Sequence, residues 1–137
     1  MANETTSSGA TPAVTGTPRL LLRLEGAALL VIAVALYART GTSWWLFAVL
    51  VLAPDLSFAG YLAGPKVGAA AYNALHTTIG PVALALVGVL APSPLAVAIA
   101  LIWLAHVGAD RLLGYGLKYD AGFGFTHLGR IGRATDT

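Results

Sequence analysis

Beyond Pro18 the chain is a succession of long apolar blocks joined by short connectors rich in turn residues. The blocks run over Leu20–Ala38, Trp44–Leu62, Val67–Leu90 and Pro94–Leu113. Each holds about the 20 residues that an α-helix needs to cross roughly 30 Å of hydrocarbon at 1.5 Å per residue. No Asp, Glu, Lys or Arg occurs between Val67 and Ala109, so the third and fourth blocks are the plainest spans. Period-two alternation is absent, which argues against a membrane barrel. Lipid offers the backbone no hydrogen bonds, so helix is the expected state. The connectors Arg39–Ser43, Ala63–Lys66 and Ala91–Ser93 force neighbouring helices to run antiparallel. The pattern therefore predicts an all-α fold: a polytopic membrane protein, a four-transmembrane-helix antiparallel bundle over residues 19–113. A Ser/Thr/Gly/Pro-rich disordered tail, 1–18, is expected before it and a Gly/aromatic segment, 114–137, after it.

Composition sharpens the picture. Of 137 residues only 10% are charged, 57% are hydrophobic, and mean hydropathy is +0.76. A soluble domain carries roughly 25% charged residues, so this chain lacks the polar surface to coat a globule in water. The absence of cysteine excludes a disulfide scaffold, and charges this few and scattered exclude a nucleic-acid partner. The lipid bilayer is the partner that remains, with a homo-oligomer as a further possibility. Arg19 and Arg23 ahead of Gly26–Ala35 also permit a signal-peptide reading with three spans. The exit Ala35-Leu36-Tyr37-Ala38-Arg39 lacks a small-x-small cleavage site, which favours four. Four spans place Arg19, Arg23, Lys66, Arg111, Lys118, Arg130 and Arg133 on one side and Arg39 alone on the other. The positive-inside rule then puts both termini in the cytoplasm of a cell bounded by this inner, or plasma, membrane.

Ionisable groups inside the spans carry the candidate chemistry, because each is costly in hydrocarbon and usually faces the bundle interior. Glu25, Asp55, His76, His106 and Asp110 come from all four blocks, and threading brings them to the cytoplasmic half. By helical rise, Asp55 and His106 lie about 10 Å deep and His76 about 15 Å. His106 and Asp110 share a helix face at i, i+4, a spacing that can chelate one ion or let the carboxylate orient the imidazole. Tyr72, Asn73 and His76 share a face of the third span and are supporting candidates. Pro54 beside Asp55, and Pro81 one turn beyond His76, should bend their helices where irregular backbone would line a cavity. Divalent zinc or manganese is the cofactor such a set suggests, although no HExxH motif and no cysteine are present. The same groups could instead clamp the helices together, and Glu25 beside Arg23 could simply snorkel to the interface.

The C-terminal segment interleaves Tyr115, Tyr119, Phe123 and Phe125 with glycines and basic residues. It fits either an interfacial aromatic belt or a fold-back that carries His127 over the pocket as a third imidazole. Gly60, Gly64 and Gly68 at four-residue spacing straddle the second connector, which suits a tight turn as well as a dimer seam.

Three stretches carry a family resemblance: RLEGAALL, WWLFAVLVLAPDLSFAGYLAGPKVGAAAYNALH, and WLAHVGADRLLGYGLKY followed by FTHLGRIG. Together, from about Arg19 to Gly132, they resemble the domain-of-unknown-function 4260 family. That resemblance implies a small prokaryotic integral membrane protein and transfers no catalytic residue. A looser similarity, to membrane-bound metal-dependent hydrolases, rests on the intramembrane His and the H-x-x-x-D at His106; the further histidine motifs of that group are missing. Three functions stand side by side. One is a metal-assisted hydrolase at the cytoplasmic face with Asp55, His76, His106, Asp110 and His127 in the pocket and Glu25 as base. The second is a small proton- or cation-coupled transport component. The third is a structural or assembly protein.

Overall fold

The computed structural model describes residues 13–119 and 124–131. Four helical spans, Gly16–Arg39, Trp44–Ala63, Pro65–Leu90 and Pro94–Leu113, are long and apolar enough to cross a bilayer. The first and last are continuous helices, α1 (Gly16–Arg39) and α5 (Pro94–Leu113). The middle two are broken. The second comprises α2 (Trp44–Leu50) and a 3₁₀ helix, Ala53–Ala63; the third comprises α3 (Pro65–His76) and α4 (Ile79–Leu90). Most of the expected N-terminal tail, residues 1–12, lies outside the described residues. Its last three positions already belong to α1.

The breaks fall where proline removes a backbone donor. Pro54 cannot bond back to Leu50, and Asp55 N–H turns to the Leu52 carbonyl at 3.0 Å, the tighter i→i+3 pattern. Pro81 cannot bond back to Thr77, and Thr77 is extended at φ −86°, ψ 154°. The 3₁₀ stretch lasts 11 residues, whereas runs beyond about four are uncommon. Its rise of roughly 2.0 Å per residue stretches a short span towards the bilayer thickness.

Packing runs antiparallel throughout. Gly26 of α1 and Gly108 of α5 sit back to back, each leaving no room for a Cβ against the other's carbonyl oxygen. At the far end of the same pair Tyr37 is fully buried with Ala98, Leu101 and Ile102, and its hydroxyl donates to the Ser43 carbonyl at 2.6 Å. Gly88 of α4 abuts Val97 and Ala96, and Gly80 abuts Trp103. The 3₁₀ helix packs on α3 through Gly60 against Ala71 and the Tyr61 ring against Gly68. Gly64 between them adopts φ +111°, so this glycine series serves a turn and an intrachain contact. Large apolar side chains point outward, Trp45 at 82% and Leu62 at 94% exposure, as lipid contact requires.

The chain past α5 folds back on the bundle. Gly114 ends α5 in the left-handed conformation, φ +88°, with Tyr115 N–H donating to the Asp110 carbonyl at 2.7 Å. Two short strands, β1 (Phe125–Thr126) and β2 (Gly129–Arg130), form an antiparallel hairpin, and Lys118 bridges to Thr126. Arg19 of α1 donates to the Leu128 carbonyl, and Arg23 donates to the Leu112 carbonyl at 2.8 Å.

Replacing Gly108 with Val should lower stability by about 1–3 kcal/mol, because the added carbons must displace backbone of α1 rather than a flexible side chain. Thermal unfolding in detergent measures this. Val31→Ala, on the lipid-facing surface at 66% exposure, should leave the midpoint almost unchanged.

Candidate metal centre

A broken helix in a bilayer leaves carbonyl groups that must find donors within the protein. Here α5 supplies them. Val51 loses the Asp55 N–H, and the His106 ring donates from Nδ1 to its carbonyl at 2.5 Å. Leu75 and His76 end α3 without α-helical partners. Trp103 Nε1 donates to the Leu75 carbonyl at 2.6 Å, and Arg111 Nη2 to the His76 carbonyl at 3.0 Å. Trp103, His106 and Arg111 fall at i, i+3 and i+8, one face of α5. Asp110, one turn after His106, lies on the same face.

These backbone contacts set the protonation pattern of the two imidazoles. His76 Nδ1 donates to the Tyr72 carbonyl at 2.8 Å, as His106 Nδ1 does to Val51. A carbonyl only accepts, so both Nδ1 atoms carry the proton and both Nε2 atoms turn inward. The two Nε2 atoms lie 3.1 Å apart. Asp55 Oδ1 is 3.2 Å from each of them. Asp110 Oδ2 is 3.3 Å from His106 Nε2 and 3.5 Å from His76 Nε2. All four ligand atoms fall within 4.8 Å of one another.

Those separations can be compared with a coordination polyhedron. Metal bonds of about 2.0–2.2 Å to nitrogen and oxygen, arranged tetrahedrally, set ligand–ligand edges of about 3.3–3.6 Å. Five edges measure 3.1–3.5 Å. Two Nε2 lone pairs facing each other at 3.1 Å repel unless a proton or a cation lies between them. The donor set is two neutral imidazoles and two carboxylates, so a divalent ion would leave the assembly uncharged in a low-dielectric surrounding.

Aromatic rings hold the geometry. The Tyr72 ring stacks on the His76 ring with centroids 3.7 Å apart and planes 7° apart, and Phe58 packs beside both, its centroid 5.4 Å from Tyr72 and 6.4 Å from His76. His76 and His106 are buried, at 1% and 5% exposure, while the Asp55 side chain is 35% exposed. The carboxylates therefore face an opening. It is a cavity of about 250 Å³ walled by Asp55, Asp110, Phe58, Tyr72, Tyr115 and Lys118.

The cavity rim is fastened from above. Asn73 Nδ2 donates to the Lys118 carbonyl at 2.8 Å, and Lys118 N–H donates to Asn73 Oδ1 at 2.6 Å. This paired contact seats Lys118 Nζ 4.8 Å over the Tyr72 ring. Burial presses the Lys118 ammonium down to about 8, with Asp110 pulling the other way.

The structure thus gathers Asp55, His76, His106 and Asp110, with Tyr72 and Asn73 in supporting contact. It does not gather the other two candidates. Glu25 lies on an exposed face of α1, so its carboxylate is not among the converging groups. His127 does sit in a segment folded back on the bundle, but its Nδ1 accepts the Leu117 N–H at 2.9 Å and its carbonyl accepts Val14 N–H at 2.7 Å. That ring closes the tail and is not one of the four. Burial and the nearby Arg111 charge hold its pKa below the ordinary imidazole range. Sequence reasoning passed over Trp103, Arg111 and Lys118. The face that Trp103 and Arg111 share with His106 was a usable signal; Lys118 had none, because its place depends on a pairing across 45 residues.

The profile of the family described as Domain of unknown function (DUF4260) matches residues 19–131. The chain belongs to the DUF4260 family. No curated protein and no solved structure matches it. Every residue of the quartet, together with Tyr72, Asn73, Trp103, Arg111 and Lys118, lies inside the DUF4260 match.

Two outcomes follow for the rim. Asn73→Ala should speed amide exchange across residues 115–119 by roughly tenfold or more, since two short hydrogen bonds are lost. The Lys118 pKa, near 8 folded against 10.5 ordinarily, means the unfolded chain holds a proton that the folded chain lacks between those values. Stability should therefore rise with pH across that window. Unfolding midpoints measured from pH 7 to pH 11 should show a smaller rise in Lys118→Met; an identical slope would refute the assignment.

Proposed function

We propose that Asp55, His76, His106 and Asp110 hold a divalent ion of the zinc or manganese kind, and that the protein is a metal-dependent hydrolase of the cytoplasmic leaflet. One observation carries this reading. Both imidazoles spend Nδ1–H on backbone carbonyls and aim Nε2 at the same point as two carboxylates. Catalytic zinc sites commonly use three protein ligands and keep a further position for water or substrate. His76, His106 and the less exposed Asp110 are suited to the ligand role. Asp55, the most open of the four, stands on the cavity side, where its carboxylate would accept a proton from water once an ion was held by the other three. It takes the part that the sequence suggested for Glu25. A divalent ion, when bound, supplies a Lewis acid and brings the pKa of its water towards 7. The chain's own work is to hold both rings rigidly, exclude lipid from their inner edges and leave one side open.

Orientation supports the cytoplasmic leaflet. The cavity lies at the end of the bundle where Arg19 and Arg23 meet the segment after α5, and seven of the eight basic residues belong to that side in a four-span topology. A transport role has less support, because Arg39, in the last turn of α1, is the only Asp, Glu, Lys, Arg or His in the opposite half of the spans.

Purified protein in detergent, incubated with zinc, manganese or iron and then dialysed, tests the reading by elemental analysis. About one ion per chain should be retained, and His106→Ala and Asp110→Ala should each retain far less while keeping their helical circular dichroism. Wild-type protein that retains no ion, with either variant losing most of its thermal stability, would overturn it and make the quartet a proton-bridged clamp between spans.

A further inference from the structure

Arg19 and Arg23 stand one turn apart on α1, and each reaches backbone of a different element. Arg19 Nε donates to the Leu128 carbonyl in the hairpin, and Arg23 Nε to the Leu112 carbonyl near the end of α5. One N–H of each guanidinium is thus committed, which orients the planar group. Both groups border Gly114, where an added Cβ would stand 3.0 Å from Arg19 Nη2 and 4.0 Å from Arg23 Nε. Two cations are therefore held side by side at one end of the bundle. None of the ion pairs of the described residues includes either guanidinium. Glu25 follows Arg23 by two residues and so leaves α1 on the opposite side. The Nη groups of both side chains carry no hydrogen bond within the described residues. Like charges set this close repel, and an anion between them removes the cost.

The surface beside the pair is apolar. Leu20 and Leu24 directly follow the two arginines, and with Val31 they form an exposed row along α1. At the level of the arginines Leu113 of α5 and Tyr115 beyond it are also exposed. A tyrosine there suits the head-group layer, where amphipathic rings gather. The row of leucines and valine runs from that layer towards the bilayer middle. A free anion would meet the two charges and leave the row unused, whereas a phospholipid uses both.

We propose that Arg19 and Arg23 bind the phosphate of an anionic phospholipid, such as phosphatidylglycerol, with an acyl chain lying along Leu20, Leu24 and Val31. Paired guanidinium N–H groups match phosphate oxygens in spacing, and the opposite charges strengthen those bonds. A zwitterionic lipid brings its own ammonium to the same place, so net charge makes the choice. No member of the quartet takes part, and the assignment does not depend on the metal reading. The bound head group also braces the cap, because the same two side chains already tie α1 to the Leu112 and Leu128 carbonyls.

Native mass spectrometry of the full chain in detergent, titrated with phosphatidylglycerol, phosphatidylcholine or inorganic phosphate, provides the test. About one phosphatidylglycerol per chain should stay bound at concentrations where neither alternative does. Arg19→Gln and Arg23→Gln should each weaken it by about fivefold, the scale of one basic side chain at an anionic lipid surface. Lys66→Gln, which removes an exposed cation at the same end of the bundle, should leave it unchanged. Hydrogen exchange on the wild-type protein in nanodiscs locates the site without any variant. Phosphatidylglycerol should slow exchange over residues 112–116 relative to phosphatidylcholine and leave residues 40–46, at the other end, unaffected. Phosphatidylcholine retained as tightly, or a loss in Lys66→Gln equal to that in the arginine variants, would overturn the proposal by showing unselective adhesion. Inorganic phosphate retained as tightly would overturn the lipid assignment in favour of a free anion. Unchanged exchange over residues 112–116 would overturn the site even where the arginine variants fail to fold.

Discussion

A carbonyl group released from a helix inside a bilayer has no water to turn to, and this protein releases several. Each break in the two middle spans costs intrahelical hydrogen bonds, and the donors that compensate are side chains of one unbroken helix. Trp103, His106 and Arg111 of α5 reach the carbonyls of Leu75, Val51 and His76. The breaks and α5 are therefore mutually dependent. Without the donors the irregular backbone would be too costly at this depth, and without the breaks the donors would themselves be buried and unsatisfied.

The site is a by-product of that repair. A histidine used as a backbone donor is committed to one tautomer, which leaves its other nitrogen as an acceptor. When two such histidines face each other across a bundle, two acceptors converge. His76 and His106 do so from neighbouring spans, and the carboxylates of Asp55 and Asp110 join them because one follows the proline that breaks its span and the other lies one turn along α5. Hydrogen bonds on the outer nitrogens and the ring stack of Tyr72 on His76 leave the imidazoles little freedom to rotate away. Preorganisation of this kind favours an ion held at a set geometry over a pair of loosely solvated charges.

The end of the bundle shows the same economy. The segment after α5 closes over the cavity through backbone contacts to Asn73, Arg19 and Val14, so its position depends on three different parts of the chain. His127 is consumed in that closure and Lys118 is delivered to the cavity wall by it. Gly26 and Gly108 let α1 approach α5 closely enough for Arg23 to reach the Leu112 carbonyl, so the tightest helix contact also positions the cap.

Four spans, their antiparallel order and the gathering of polar groups at one end were legible in residue order alone. Block length, connector length and the scarcity of ionisable groups between Val67 and Ala109 are local properties, and hydrocarbon thickness leaves few ways to satisfy them. Pro54 and Pro81 also announced the breaks, since a missing N–H acts wherever the chain is placed. What residue order could not say was which carboxylate joins the histidines. Glu25 and Asp55 are equally acidic and comparably deep, yet α1 turns one outward while the 3₁₀ helix turns the other inward. That choice depends on helix rotation, which is set by packing at Gly26–Gly108 and Gly60–Ala71. The same holds for His127 and Lys118: Asn73, 45 residues away, seats Lys118 at the cavity wall, while the His127 ring is turned to the Leu117 N–H. Local chemistry determines where a polar group sits along the membrane normal; only tertiary contacts determine the direction in which it points.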